Sequence, residues 1–279
     1  MGSAGESAWG APHLKKFVGV LDSVIGKKEA AMASNDSMKF ITALDLGGGE
    51  KVRTARLPDE IRNKIKGVVE SDTLKLKKHP IVVFNEVCYP KRLIAFYSDE
   101  SYGYFFSNAV TKSEELTPEL TELLEFVNDA MGTEYNGILI NSYEDGNDSI
   151  SAHADNEKAL ILDEAGVVAI NFGSTRHMHF TTTDPADPCQ LGKKCRIELM
   201  GGHLMQMKGV NFQKRFKHAI RAEKGAGRRV SFTFRKHDLE KEKSSISKVP
   251  AMEARIAKLM AKKEAAAAAE PAPKRVKSE

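Results

Sequence analysis

From Gly137 the chain reads GILINSYEDGNDSISAHADNE (residues 137–157), and this segment opens a series of short β-rich runs separated by turn residues. The later runs are GVVAINF (166–172), RHMHF (176–180), RIELM (196–200), HLMQMK (203–208) and RVSFTFR (229–235). Such spacing predicts an antiparallel β sandwich or barrel that carries helices on one side. The expected fold class is therefore mixed α/β and mainly β.

Two helices are predicted upstream of this region. Residues 57–70, LPDEIRNKIKGVVE, carry apolar residues at helical spacing behind acidic residues at the front end. The second helix starts with Thr117 as a cap and Pro118 at the first helical position. Both helices are expected to be scaffold.

The net charge of the chain resides in its C-terminal segment. The 279 residues include 42 Lys and Arg against 38 Asp and Glu, a formal charge of +4. Residues 236–279 contain 11 of the basic and 7 of the acidic residues, so residues 1–235 are neutral overall. The main body is therefore not a generally cationic nucleic-acid binder.

We divide the chain into a disordered leader (1–12), one large domain (13–235), and a charged helix with a basic tail (236–279). Pro250 marks the predicted start of the C-terminal helix. Its apolar side chains either dock on a partner or pack on the core; they are Met252, Ile256, Leu259 and Met260.

The composition predicts an intracellular protein that does not enter a membrane. No run approaches the roughly 18 apolar residues of a membrane-spanning helix, and the three cysteines suggest free thiols in a reducing compartment. Residues 271–279, PAPKRVKSE, look like a nuclear-import signal, which predicts a nuclear location and an import receptor as a partner. Cys189 and Cys195, near His177 and His179, offer a zinc alternative, but their spacing favours free thiols.

The run RVSFTFR separates into two faces because side chains alternate along a strand. One face carries Val230, Phe232 and Phe234, and the other carries Arg229, Ser231, Thr233 and Arg235. The polar face is either the solvated side of a half-buried strand or the wall of a pocket in which paired arginines clamp an anion. Asn141 and Tyr143 share a face in the same way, and such neutral donors beside an arginine suit a carboxylate.

His153 and Asp155 lie two residues apart on an extended segment, so an imidazole and a carboxylate can converge there. Alone, this triplet is also common in surface loops. His218 is a third candidate, and two histidines with one carboxylate form the ligand set of non-haem Fe(II) oxygenases. Zinc would instead favour thiolates or a third histidine.

With these motifs in this order, the chain resembles the AlkB family of iron(II)- and 2-oxoglutarate-dependent dioxygenases, closest to its nuclear DNA-repair branch. The resemblance covers about residues 83–235. It implies a double-stranded β-helix, or jelly roll, with supporting N-terminal helices. Residues 13–235 then form the dioxygenase domain, with a nucleotide-recognition lid at about 80–110 and a catalytic core at about 135–235.

The resemblance also implies roles for individual residues. His153, Asp155 and His218 would ligate Fe(II), and O2 would be a cosubstrate. Arg229 would pair with the distal carboxylate of 2-oxoglutarate, and the rest of its cradle would be Asn141, Tyr143, Thr233 and Arg235. The substrate base would meet Phe106 as a stacking ring, with Tyr104, Asn156 and Glu157 nearby. The branch usually has a second acidic residue where this chain has Asn156.

The implied reaction is oxidative demethylation of 1-methyladenine or 3-methylcytosine in DNA or RNA, releasing succinate, CO2 and formaldehyde. Such enzymes flip the damaged base out of the helix. The candidate nucleic-acid contacts are Phe84, Lys91, Arg92, Lys193, Lys194 and Arg196, together with Lys214, Arg215 and Lys217. The alternatives are a 2-oxoglutarate-dependent hydroxylase of a protein side chain and a non-enzymatic reader. A monomer is expected.

Overall fold

A computed structural model describes residues 38–189, 191 and 195–269. The predicted leader, Lys193, Lys194 and the basic end at 271–279 lie outside the described residues. The strands are β1 (Ile41–Asp45), β2 (Lys51–Arg56), β3 (Ile81–Val83), β4 (Glu86–Cys88), β5 (Leu93–Tyr97), β6 (Gly103–Phe106), β7 (Ala109–Glu114), β8 (Gly137–Tyr143), β9 (Ile150–His153), β10 (Leu160–Ile161), β11 (Val167–Gly173), β12 (Arg176–Thr182), β13 (Arg196–Leu199), β14 (His203–Lys208), β15 (Phe216–Ile220) and β16 (Arg229–His237). The helices are α1 (Asp59–Glu70), α2 (Pro118–Met131), α3 (Phe212–Arg215), α4 (Leu239–Ile246) and α5 (Val249–Ala269).

Two sheets form the body of the protein. The large sheet has the order β1-β2-β14-β11-β16-β8-β5-β7-β6, and β10 pairs with β16 beside it. The small sheet has the order β13-β12-β15-β9. Neighbouring strands are antiparallel except for β5 and β7, which are parallel.

The inner faces of the two sheets share one apolar core. Large-sheet residues such as Ala169 and Met205 pack there with small-sheet residues such as Phe180 and Ile220. Burying a side chain of the size of Met205, Phe180 or Ile220 contributes about 1.5–3 kcal/mol. This sandwich confirms the predicted mainly β fold with a jelly-roll core.

The predicted scaffold helices cover the outer face of the large sheet. Val230, Phe232 and Phe234 of β16 pack there in one cluster with apolar side chains of α1 and α2. The hydroxyl of Thr117 accepts a hydrogen bond from the backbone N–H of Leu120, and Pro118 opens α2, as predicted. The first helix begins at Asp59, two residues later than the predicted Leu57.

The predicted lid region contains two tight hairpins. β3 and β4 are joined by Phe84 and Asn85, whose φ angles are 48° and 64°. β6 and β7 are joined by Ser107 and Asn108, with φ angles of 47° and 56°. Paired positive φ angles are the geometry of a two-residue hairpin turn whose twist matches that of its strands.

The C-terminal segment is joined to the body more closely than the predicted division at residue 235 suggests. β16 continues to His237, and α5 contacts β4 and β7. Met252, Ile256, Leu259 and Met260 are half-buried, which favours packing on the chain itself over docking on a partner. Among the described helices, none has an apolar stretch long enough to cross a membrane.

Candidate active site

The polar face of β16 is buried between the two sheets. Arg229, Ser231, Thr233 and Arg235 all line one cavity there, so this face is not a solvated surface. β8 lies beside β16 with Asn141 opposite Ser231 and Tyr143 opposite Arg229, and both β8 side chains line the same cavity. The cavity also contains His153, Asp155 and His218.

The three candidate metal ligands converge at one end of this cavity. His153 and His218 are direct cross-strand partners in β9 and β15, and their ring centres are 4.3 Å apart. Oxygens of Asp155 lie 3.6 Å from His153 Nε2 and 3.9 Å from His218 Nε2. One ligand atom from each residue falls within 4.8 Å of the others, a spacing that can hold a metal ion.

Neighbouring groups fix the orientation of these ligands. His153 Nδ1 lies 2.9 Å from the carbonyl oxygen of Ser151, so a proton donated there leaves Nε2 free as a metal ligand. The side-chain oxygen of Gln213 accepts the backbone N–H of Asp155 at 2.8 Å. Burial, together with the charge of His153, lowers the pKa of His218 to about 3. Its imidazole is therefore neutral at neutral pH, which is the form that binds metals.

Arg235 is the ion-pair partner of Asp155. Its guanidinium donates to Asp155 Oδ1 and to Glu157 Oε1, both at 2.8 Å. Burial alone would raise the pKa of Asp155, but Arg235 and the two histidines outweigh burial and hold that pKa below its usual value. The carboxylate is therefore ionised although only 1% of the residue is exposed.

Arg229 offers an anion-binding group at the other end of the strand. It is 2% exposed, and its guanidinium lies 5.1 Å from the centre of the Tyr143 ring. One Nη donates to Asn171 Oδ1, while Nε and the other Nη have no partner within the described residues. Buried donors without partners carry a large desolvation cost. An anionic ligand in the cavity would satisfy them.

A family model described as the 2OG-Fe(II) oxygenase superfamily matches residues 56–235, more than half of the chain. The chain belongs to this superfamily. Enzymes of this superfamily are dioxygenases that use Fe(II), 2-oxoglutarate and O2, which confirms the predicted cofactors. The matched range contains the whole His153, Asp155 and His218 group and both cavity arginines.

Relatives support the resemblance to the AlkB family. The oxygenase is 29% identical over 180 residues to a protein named DNA oxidative demethylase ALKBH2 of Bos taurus, covering 64% of each chain. It is 28% identical to the Homo sapiens protein of the same name, covering 66% of this chain and 70% of that protein. Alpha-ketoglutarate-dependent dioxygenase alkB homolog 3 of Rattus norvegicus is 30% identical over 57% of this chain and 54% of its own length. The predicted resemblance to the AlkB family is thereby confirmed.

The donor set of the oxygenase fits its cofactors. Two imidazoles and a carboxylate suit Fe(II) and leave positions for other ligands. The unpartnered donors of Arg229 suit a carboxylate of 2-oxoglutarate. Asn141 accepts from Arg92 Nε at 2.7 Å through its side-chain oxygen, which leaves its amide N–H groups for the cavity. Tyr143 and Thr233 complete the polar lining.

Aromatic rings lead from the ligands towards the lid. Tyr104 and Phe106 of β6 stack with ring centres 5.9 Å apart, and Phe106 meets His153 edge-on at 6.4 Å. Tyr104 is buried beneath Arg235, whose guanidinium lies 4.9 Å from the ring centre. Phe106 is half-buried and Asn156 is exposed. The predicted stacking ring is therefore next to a predicted iron ligand.

The structure corrects two predicted nucleic-acid contacts. Arg92 is 4% exposed and lines the cavity, where it donates to Asn141, so it is not a surface cation. Arg215 forms ion pairs with Asp187, at 2.8 Å, and with Glu50, and these two carboxylates neutralise its charge. The remaining described candidates are exposed: they are Phe84, Lys91, Arg196, Lys214 and Lys217.

Sequence reasoning missed two polar residues of the site. Asn171 holds Arg229, and its position two residues after the inward-facing Ala169 in β11 is the signal that could have found it. Gln213 holds the backbone of Asp155 from α3, and no sequence pattern marks it. Within the described residues, His153, Asp155 and His218 are the one group of three or more His, Cys, Asp or Glu close enough to hold a metal. The zinc alternative at Cys189 and Cys195 is therefore not supported.

Proposed function

We propose that this oxygenase removes N-methyl groups from nucleobases in DNA, with 1-methyladenine and 3-methylcytosine as substrates. The observation that carries this proposal is the contact of Phe106 with His153, which joins an aromatic stacking surface to the predicted iron ligands. The bovine and human relatives named DNA oxidative demethylases support DNA as the substrate class.

In the proposed site, bound Fe(II) and 2-oxoglutarate would activate O2, the oxidant, so that one oxygen atom enters a C–H bond of the methyl group and the other enters succinate. His153, Asp155 and His218 hold the metal, while Arg229 orients the cosubstrate through its free donors. Phe106 stacks on the extruded base. Hydroxylation of an N-methyl group leaves a product that loses formaldehyde, and the cosubstrate is converted to succinate and CO2.

We extend the proposal to RNA as a substrate, to the oligomeric state and to the location in the cell. RNA carrying the same methylated bases is a second substrate, since stacking and the chemistry of the methyl group are shared by both nucleic acids. The protein acts as a monomer in the nucleus, and an import receptor binds residues 271–279. The motif PKRVK in that segment supports this location.

The proposal is tested by measuring succinate formation with methylated DNA, methylated RNA, unmethylated oligonucleotides and peptides. We expect methylated nucleic acids to stimulate succinate formation. The formaldehyde released should equal the additional succinate formed. Stimulation by peptides instead would identify a protein hydroxylase. Phe106→Ala should lower the stimulated rate and spare turnover of 2-oxoglutarate without substrate. Phe105→Ala is the matched control, because Phe105 is the neighbouring residue of β6 and stacks with Tyr102 instead.

A further inference from the structure

The C-terminal helices contact the lid at three separate places. These helices lie beyond the region matched by the superfamily, which ends at residue 235. Their contacts involve Glu242 of α4 and Glu253 and Arg255 of α5.

The first contact anchors the strand that carries the stacking ring. Glu242 is 2% exposed, and its Oε1 accepts the Ser101 hydroxyl at 2.7 Å and the backbone N–H of Gly103 at 3.2 Å. Gly103 is the first residue of β6, three residues before Phe106. His237 Nδ1 lies 2.8 Å from the same hydroxyl, so an N–H donated there completes a chain of hydrogen bonds. A buried carboxylate satisfied by two donors is a specific anchor.

The second and third contacts hold the two hairpins. Glu253 pairs with Lys112 of β7 at 2.9 Å, and its hydrogen bond raises the pKa of Lys112. Arg255 donates to the side-chain oxygen of Asn85 at 3.1 Å. Asn85 forms the turn of the β3–β4 hairpin together with Phe84, which is 97% exposed.

From these contacts we propose that the C-terminal segment Asp238–Ala266 is part of the substrate lid. Glu242 and Arg255 are positioning residues: Glu242 sets the place of β6 and hence of Phe106, and Arg255 sets the hairpin that presents Phe84. This inference rests on the proposed action on nucleic acids. The sequence predicted only an appended helix and tail. We call the segment a brace, because it holds β6 and the β3–β4 hairpin in position for base extrusion.

The inference predicts a selective kinetic effect, because misplacing a positioning group affects the substrate step and not the metal site. Glu242→Ala and Arg255→Ala should each lower succinate formation stimulated by methylated duplex about tenfold, as expected from loss of one or two hydrogen bonds. Substrate-independent turnover and the KM for 2-oxoglutarate should stay unchanged. Glu242→Gln retains the accepting oxygen and should restore most of the stimulated rate. Lys258→Ala, an exposed cation on α5, is the control.

Hydrogen–deuterium exchange supplies a readout that does not depend on the substrate. In full-length Arg255→Ala and Glu242→Ala, backbone amides of residues 81–88 and 103–106 respectively should exchange faster than in the wild type. Wild-type exchange in both variants would overturn the brace, and so would equal loss of stimulated and substrate-independent turnover. A wild-type enzyme that ignores methylated oligonucleotides would overturn the proposed function, while faster exchange in the variants would still support the brace.

Discussion

At the scale of single residues, Arg229 is the predicted partner of a carboxylate of 2-oxoglutarate. Its buried guanidinium has two donors without partners, and a lysine would replace that planar fork with one point charge. Arg229→Lys should raise the KM for 2-oxoglutarate by about tenfold or more, since a hydrogen bond to a charged group contributes about 1.5–3 kcal/mol. Steady-state kinetics with Arg228→Lys as control checks this, because Arg228 is exposed and lies immediately before the strand. An unchanged KM would contradict the clamp.

Asn156 is predicted to lie beside the substrate base, where it contributes no charge. It is exposed and follows Asp155 directly, at a position where an acidic residue would attract a cationic methylated base. Asn156→Asp should raise kcat/KM for 1-methyladenine and 3-methylcytosine about two- to fivefold, the size of a solvent-exposed charge interaction. The gain should shrink in high salt. A neutral base such as 1-methylguanine is the comparison substrate. An equal gain in kcat/KM for this base would rule out an electrostatic preference for cationic bases.

The histidine at the end of β16 makes the stability of the fold pH-dependent. Burial, with the charge of Arg235, lowers the pKa of His237 to about 4. Because the folded pKa lies below the unfolded value of about 6.5, the unfolded state binds more protons between these values. The contribution of His237 is fully present above about pH 6.5, falls as the pH drops towards 4, and amounts to about 3 kcal/mol.

His237→Asn retains a donor for Ser101 but does not titrate. Urea unfolding of the metal-free protein between pH 4 and 7.5 should show a shallower loss of unfolding free energy in this variant than in the wild type. His218 titrates in both proteins and cancels in the comparison. Identical slopes would show that His237 has no part in the effect.

At the scale of elements, the β3–β4 hairpin holds its predicted substrate contact, Phe84, in a strained backbone conformation. Phe84 occupies a left-handed conformation with φ of 48°, which costs about 1 kcal/mol or more for a bulky residue. Phe84→Gly should therefore raise the free energy of unfolding by about 1 kcal/mol. It should also lower activity on methylated duplex more than on single strands, where no stack has to be opened. Phe84→Tyr keeps the ring and should retain activity; a Gly variant with full duplex activity would remove Phe84 from the mechanism.

The elements also show what a sequence can and cannot predict. The two faces of β16 and the start of α2 depend on residues that are neighbours in the sequence. The alternation along β16 and the pair Thr117-Pro118 were therefore sufficient to predict them. Arg92 was predicted as a nucleic-acid contact and Arg235 only as part of the 2-oxoglutarate cradle. Their partners, Asn141 and Asp155, lie 49 and 80 residues away in the sequence, so no local pattern indicates these contacts. The sequence left open whether α5 packs on the core or on a partner, because its alanine-rich sequence has a weak apolar stripe and its polar contacts are with distant hairpins.

At the scale of the whole molecule, part of the positive charge of the C-terminal segment lies beside the β3–β4 hairpin. α5 lines a cleft against the β3–β4 hairpin, and Lys262 and Lys263 lie on its helical wall with Leu259. Both lysines are exposed, and the facing hairpin carries Phe84 at its tip. Because residues 1–235 are neutral overall, these cations are expected to supply a measurable part of the attraction to a phosphate backbone.

Binding of methylated duplex at several salt concentrations measures this contribution. The logarithm of the binding constant falls with the logarithm of salt by about 0.9 for each neutralised phosphate. Replacing Lys262 and Lys263 together by alanine should reduce that slope by about 1 to 2 and weaken binding of all sequences alike. Lys241 and Lys243 form the matched control pair, since Asp238 and Glu240 already neutralise them. A control pair that lowers the slope as much as the α5 pair would assign the effect to net charge, whereas a selective loss identifies α5 as the surface that meets the strand beside Phe84.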